Sequence, residues 1–385
     1  GFGNEFLETL LRLINSTSTS ISDKKLTQAN ESEGEARAWW KEAVIYQIYP
    51  RSFVDGRDED GIGDLHGIIT KLDYLKELGI DCIWLSPIYD SPNADNGYDV
   101  RNYEQIMKEY GDSNDFVELV NGLHERGMKL IMDLVVNHTS DEHEWFQHAL
   151  NEPDSKYRNY YFIREGSKDT PPNNWDSCFG GSAWNYYEKQ GVWALHVFSK
   201  KQMDLNWDNP DVREDVENMI NRWLERGVDG FRLDAVNLIS KMEDLPDGNK
   251  AIGQFMGYCG AENYFYGPHL HDYLNELSTK CFIPHGAFSV GETPGLGMEM
   301  SKLITDMNRD ELNIVFNFDH LESGGHLRFD DYEYNLNWYK DYMCEWSEHY
   351  CNTHQMALYF ENHDNPRMIS KISRNPEHRT LLAKL

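Results

Sequence analysis

Residues 129–138 read KLIMDLVVNH, apolar through position 136 except for Lys129 and Asp133, with Asn137 and His138 following. A short run of this apolarity is a strand buried on both faces. It carries Asp133 within it and delivers His138 to its C-terminal end. The same design recurs on either side. Upstream lie AVIYQIYP (43–50) and CIWLSPIY (82–89); downstream lie DGFRLD (229–234), AFSVGE (287–292), NIVFNFD (313–319) and MALYFE (356–361). Between them run apolar residues at helical spacing: Ile68, Leu72, Leu75 and Leu78 before Gly79, then Phe116, Val120 and Leu123 before Gly127. A third stripe, the strongest, is Val212, Val216, Met219, Ile220, Trp223 and Leu224.

Buried strands alternating with amphipathic helices predict an α/β chain with parallel strands and helical crossovers. Two architectures share that pattern, a doubly wound sheet and a barrel. The polar residues decide between them. Asp133 and His138, Arg232 and Asp234, Glu292, then His363 and Asp364 sit at the C-terminal ends of four different strands. A doubly wound sheet concentrates its site at one switch point, whereas a TIM barrel gathers it from many strand ends. The sequence also contains no G-x-G-x-x-G and no P-loop. The expectation is therefore an incomplete TIM (β/α)8-type barrel of about seven strands, with a subdomain inserted after strand 3. The barrel occupies 39–138 and 201–385. The insertion, 139–200, is polar, aromatic and turn-rich, with PPNNW at 171–175 and FGGSAW at 179–184; so long a break in a compact domain calls for structure of its own. Residues 1–38 read as an arm, a short amphipathic stretch with Phe2, Phe6, Leu10, Leu13 and Ile14 and then a Ser/Thr/Asn/Glu-rich linker.

Composition narrows the partners. Acidic residues outnumber basic ones 65 to 36, for a formal charge of −29. Binding to nucleic acid or an anionic membrane depends on clustered Lys and Arg, so neither is expected, and a neutral partner such as a sugar fits. Eleven Trp and 22 Tyr supply flat faces for sugar rings as well as core filling. No apolar run reaches the roughly 20 residues that cross a bilayer. The six cysteines form no C-x-x-C, which points away from structural zinc and toward a reduced, cytoplasmic protein.

Taken singly, a strand-end acid is most often a cap or a solvated turn. The grouping is what points to chemistry. Arg232 and Asp234 are two residues apart, so strand alternation places both on one face, where the guanidinium holds the carboxylate ionised and aims it. That is the state of a nucleophile. Glu292 ends an apolar strand, a setting that favours the protonated form a general acid needs. Two carboxyls with these roles suffice for hydrolysis of a glycosidic bond with retention.

Eight stretches, in order, carry a resemblance: AVIYQIYPRSF (43–53), DGIGDLHGI (60–68), GIDCIWLSPIY (79–89), DNGYDV (95–100), DLVVNH (133–138), GFRLDAVN (230–237), GET (291–293) and ENHDNPR (361–367). The chain resembles the α-amylase family of glycoside hydrolases, in its oligo-1,6-glucosidase and α-glucosidase branch. The resemblance implies Asp234 as nucleophile, Glu292 as acid/base and Asp364 as transition-state stabiliser. It implies that Arg232 orients Asp234, that His138 and His363 bind sugar hydroxyls, and that Asp99 closes the pocket. The expected activity is then exo-acting release of terminal α-linked glucose from short oligosaccharides or disaccharides by double displacement. Alternatives within and beside the family are a transglycosylase of the sucrose-isomerase or trehalose-forming type, and a non-catalytic relative or inactive fragment. QMDLN (202–206) resembles the branch's QPDLN, and Ala235 after the nucleophile points to α-1,4 or mixed linkages. The loop DGRDEDGIGD (55–64) resembles the family's calcium loop with one residue more, with Asp55, Asp58, Asp60, Ile62 and Asp64 as its ligands. Against the family pattern, a helix over about 367–385 ends the sequence, without an eighth strand or a C-terminal β domain.

Overall fold

A computed structural model describes residues 38–57, 59–350 and 354–384. The arm proposed for the first 38 residues therefore lies almost wholly outside the described residues, as does Asp58. The chain divides into two compact units, Arg37–Gly291 and a second that holds Glu292–Leu385.

The first unit is built on a parallel sheet of β1 (Ile45–Ile48), β2 (Cys82–Leu85), β3 (Lys129–Leu134), β4 (Gly230–Leu233) and β5 (Phe288–Glu292). Each strand pairs with the next in sequence, Ile45 opposite Cys82, Cys82 opposite Lys129, Ile131 opposite Gly230 and Gly230 opposite Phe288. Strand order never reverses, so the sheet has no switch point and follows the barrel pattern. β2 and β4 are buried along their whole length, while in β1 only Ile48 is fully buried. The N-terminal end of β5 is covered by Trp39 and Trp40, whose ring centroids lie 5.5 and 5.7 Å from Phe288.

Helices cover the sheet where the apolar spacing places them. α1 (Ser113–Glu125) starts with a reciprocal capping box between Asp112 and Asp115 and buries Phe116, Leu119, Val120 and Leu123. α2 (Pro210–Glu225) begins with Asn209 as N-cap and Pro at its first position. It buries all six residues of the predicted stripe, each worth on the order of 1.5–3 kcal/mol. The inserted subdomain has its own three-stranded antiparallel sheet, with Val192–Leu195 between Ile163–Glu165 and Trp184–Tyr187. Its neck is closed by a second antiparallel pair, His138–Ser140 with Gln202–Asp204.

The motif PPNNW, unexplained by sequence reading, is a clamp between the insertion and the segment after β4. Asn173 Nδ2 donates to Leu245 O (3.0 Å), Asn174 Nδ2 to Gly248 O (2.9 Å) and Trp175 Nε1 to Pro246 O (2.8 Å). The fit is close: at Gly260, φ +98°, a Cβ would stand 2.5 Å from the Trp175 ring. Trp175, Trp184, Trp193 and Phe162 of the insertion share one core with Ala235, Leu238, Tyr264 and Phe265.

The second unit holds β6 (Ile314–Phe316) and α3 (Leu336–Tyr350), whose Tyr342, Trp346 and Tyr350 pack with Met356. Two expectations change here. Residues 356–361 are not a strand. The segment is held by side-chain and mixed contacts, Tyr359 Oη to Asn317 O (2.7 Å) and His320 Nε2 to Tyr359 O (2.7 Å), and Leu358 stays 69% exposed. The described barrel strands thus number six, not the expected seven. The closing helix is also broken, into Met368–Ile372, a 3-10 turn at Pro376–His378, and Arg379–Leu382. Pro376 donates no backbone hydrogen bond and clashes with a continuing helix, which fixes the break.

Candidate active site

Register brings the first cluster together. Arg232 on β4 stands opposite Asp133 on β3, and Trp84 on β2 stands opposite Ile131, two residues before Asp133. All three side chains therefore face the same side of the sheet. Arg232 Nη1 donates to Asp133 Oδ1 and to Asp234 Oδ1, both at 2.6 Å. Trp84 Nε1 donates to Asp133 Oδ2 at 2.8 Å, and Tyr98 Oη reaches the same oxygen at 3.3 Å. The guanidinium lies over the Trp84 and Tyr98 rings, 5.2 and 5.8 Å from their centroids. One cation thus serves two carboxylates. The side chains of Arg232 and Asp133 are 1% and 0% exposed and that of Asp234 is 12%, so Asp234 is the least buried of the three. The expected Arg232–Asp234 pairing is present, and Asp133 is a second partner that sequence reading placed at the strand end without giving it this role.

Directly after Asp234 the chain turns left-handed. Ala235 has φ +41° and ψ +38° and is buried, a conformation that non-glycine residues adopt at a cost. The turn continues into a 3-10 segment, Val236–Leu238.

A second cluster surrounds His138. Its Nε2 is 3.0 Å from Tyr98 O and 3.2 Å from Gln202 Nε2, and its Nδ1 is 3.2 Å from Asn137 Nδ2. Phe198 packs edge-on against the imidazole at 5.2 Å. Burial holds the His138 pKa below the ordinary histidine value, against the opposing pull of the Asp204 charge. Gln202 Nε2 also donates to Asp95 Oδ2 at 2.8 Å, which ties a half-exposed carboxylate to this group. Asp99, the expected pocket-closing acid, is fully buried instead. Its Oδ2 and Oδ1 accept the backbone N–H groups of Ala94 and Asp95, each at 2.9 Å, so the carboxylate braces its own loop. The motif DNGYD holds two acids, and only burial separates their roles. Gln202, the first residue of QMDLN, likewise carries no signal in the sequence that marks it as a neighbour of His138.

Behind His138 lies a closed polar centre. Lys241 Nζ is 2.9 Å from Asp204 Oδ2, 3.0 Å from Leu238 O and 3.3 Å from Asn137 Oδ1. Lys241, Asp204 and Asn137 are buried. Nothing in the sequence spacing signals this lysine.

In the second unit, Glu292 is the half-buried last residue of β5, and Thr293 Oγ1 beside it donates to Phe316 O at 3.4 Å. The segment 361–367 is a self-capped turn. Asn362 Oδ1 accepts from Asp364 N (3.0 Å) and Asn365 Nδ2 (2.7 Å), Arg328 Nη1 donates to Asp364 O (3.1 Å), and Glu361 accepts from Arg367 (2.9 Å). His363 Nε2 stands 3.6 Å from the exposed Asp364 carboxylate.

The acids named for calcium are engaged by backbone. Asp55 accepts from Glu59 N (3.2 Å) and Gly61 N (2.7 Å), and Asp60 from Ile62 N (2.8 Å). Asp64 caps the helix Leu65–Ile69 through Gly67 N (2.6 Å) and also accepts from Gly56 N and Arg57 N. Among the described residues no three His, Cys, Asp or Glu side chains are arranged to hold a metal ion. Among the described residues, no helix is long and apolar enough to cross a membrane.

Comparison with known proteins places these clusters in context. Residues 47–385 match the model for the alpha amylase catalytic domain. The chain is 48% identical over 351 residues to an oligo-1,6-glucosidase from Parageobacillus thermoglucosidasius, covering 91% of this chain and 62% of that protein. Among solved structures it is similar to a trehalose-6-phosphate hydrolase from Bacillus licheniformis (TM-score 0.83, 41% identity, 88% of this chain and 60% of that one). It is also similar to a trehalulose synthase from Pseudomonas mesoacidophila (TM-score 0.83, 42% identity, 89% and 61%). The chain thus spans under two-thirds of the length of these relatives.

Proposed function

The chain belongs to the alpha-amylase family, and from that premise we propose that it carries the chemistry of a retaining α-glucosidase acting on the ends of short sugars. Asp234 is the nucleophile, Glu292 the acid/base and Asp364 the stabiliser of the transition state. The observation that supports this reading best is the Arg232–Asp234 contact at 2.6 Å, made by a guanidinium that also holds the buried Asp133. A carboxylate held ionised and aimed by a buried guanidinium is ready to attack an anomeric carbon. Attack expels the leaving group as Glu292 protonates it; water, activated by the same glutamate, then releases the sugar with its configuration retained.

The sugar is held by His138 and by Asp95, rather than Asp99, as the carboxylate that faces its hydroxyls. Asp95→Asn is expected to raise KM for an α-glucoside several-fold. Asp99→Asn leaves KM near its starting value and lowers the melting temperature, because its loop is braced from within. The reverse pattern returns the pocket to Asp99.

The primary test is release of p-nitrophenol from p-nitrophenyl α-glucoside, with a fluorinated glucosyl fluoride used to trap the covalent adduct. Mass spectrometry should find the added sugar on the peptide that contains Asp234. A trapped sugar on any other residue refutes the assignment. A second reading, transfer of the glucosyl group to a sugar acceptor, is favoured by the likeness to a trehalulose synthase. Incubation with sucrose followed by analysis for isomers separates it from hydrolysis.

A further inference from the structure

His138 is held by a polar chain that runs deeper into the protein than a sugar site requires. The chain begins at Lys241, whose ammonium has three N–H donors and three acceptors from three separate segments. They are Asn137 after β3, Asp204 at the neck of the insertion and Leu238 after β4, at 3.3, 2.9 and 3.0 Å. A lysine can only donate. The atom of Asn137 that faces it must therefore be the carbonyl oxygen, Oδ1. Asp204 confirms the orientation from the other side, because its carboxylate only accepts and Asn137 Nδ2 faces its Oδ2 at 3.3 Å. Between a pure donor and a pure acceptor the amide has one permitted orientation.

That orientation turns the Asn137 Nδ2–H group toward His138 Nδ1, 3.2 Å away. Nδ1 must then accept and carries no proton. On the opposite side of the ring Nε2 faces the carbonyl of Tyr98 at 3.0 Å, and a carbonyl requires a donor. Gln202 adds no competing acceptor: its Oε1 is taken by Ser199 N at 3.1 Å, and its Nε2 donates to Asp95 Oδ2 at 2.8 Å and to Tyr98 O at 3.4 Å, so its 3.2 Å approach to His138 Nε2 is a contact of two donors and not a hydrogen bond.

We propose that Lys241 is a positioning residue: by fixing the amide of Asn137 it locks His138 as the neutral Nε2–H tautomer, whose single N–H, directed at Tyr98 O, is all the ring can offer a sugar hydroxyl, as a shared donor. Burial of the ring supports the neutral form. The functional part of this inference rests on the reading of His138 as a sugar ligand; the tautomer itself does not. A hydroxyl that accepts from His138 keeps its own proton to donate to Asp95, which as a carboxylate only accepts. The pair then selects for a group that both accepts and donates, and it disfavours one that brings negative charge.

The experiment is nitrogen-15 NMR of the whole chain labelled at its 15 histidines, with the His138 ring assigned by its disappearance in His138→Gln. The expected wild-type spectrum shows Nε2 protonated and Nδ1 bare. A wild-type ring protonated on Nδ1, or on both nitrogens near neutral pH, overturns the proposal. Asn137→Asp keeps the size of the side chain and the contact with Lys241 but offers an acceptor to Nδ1. It should place a proton on Nδ1 while the Tyr98 carbonyl keeps the one on Nε2, giving a doubly protonated ring, and raise KM for p-nitrophenyl α-glucoside several-fold more than it lowers kcat. A folded Asn137→Asp protein that retains a bare Nδ1 also sinks the relay. Because the spectra need no turnover, an inactive wild-type chain with the expected tautomer refutes the glucosidase reading and supports the relay.

Discussion

Two buried cations, nine residues apart in sequence, do opposite things with their charge. Arg232 faces two carboxylates, Asp133 and Asp234, of which Asp234 is the less buried. Lys241 faces a single carboxylate, one amide oxygen and one backbone carbonyl, so each of its protons has a partner and its charge is balanced. The first arrangement joins two carboxylates to one cation, and the nucleophile proposed above is one of the two. The second leaves nothing to react and everything to lose, since removing one member of a buried pair strands the other. Within one fold, charge imbalance marks the chemistry and charge balance marks the support.

The largest effect expected from this contrast is on turnover. Asp234→Asn should lower kcat by roughly 10⁴-fold or more, the scale seen when a nucleophile is removed. It should leave the melting temperature nearly unchanged, since Arg232 retains Asp133. An Asp234→Asn protein as unstable as a lysine variant would erase the distinction. Next comes Lys241→Met, which leaves Asp204 buried without its cation and should cost about 3–5 kcal/mol in chemical denaturation. A cost under about 1 kcal/mol would show that Asp204 finds another partner.

Acid should sharpen the contrast further. Burial pushes His143 down to about 3 and His320 down to about 4, and lowers His138 as well. The folded chain keeps these rings neutral, while the unfolded chain protonates them near pH 6.5. The unfolded state therefore binds more protons below that value. Stability is complete above about pH 6.5 and falls toward pH 4, by roughly 1.4 kcal/mol per unit for each ring. His143→Gln should flatten the slope of melting temperature against pH; an unaltered slope assigns the acid sensitivity elsewhere. The smallest effect is expected from a chelator. With Asp55, Asp60 and Asp64 engaged by backbone amides, excess EGTA should shift the melting temperature little, and a large drop would mean that the loop reorganises around an ion.

Much of this was legible in the sequence. Helix stripes such as Val212–Leu224 and strands such as GFRLD declare themselves because their periodicity is imposed by burial, and burial in a barrel repeats. The Arg232–Asp234 pairing was legible for the same reason, as neighbours on one face of one strand. Asp95 and Asp99 were not separable, because two acids in one turn differ only in which of them the loop encloses. Lys241 was invisible, since its partners come from three distant segments and none lies at a regular spacing. The strand expected at 356–361 failed for a related reason. Its apolar run reports an inclination to be buried, but a strand also needs a backbone ladder, and Leu358 and Phe329 remain 69% and 77% exposed in that unit.

The left-handed turn at Ala235 bears on how this chain can change. A methyl side chain tolerates φ +41°, whereas a β-branched one meets its own backbone there. The replacements that this backbone accepts at position 235 are few. Glycine, asparagine or aspartate enter with the backbone intact; valine must either strain the turn or move it, and the turn carries Leu238, whose carbonyl is a ligand of Lys241. A substitution made at that position is thus coupled through Leu238 to the polar centre behind His138.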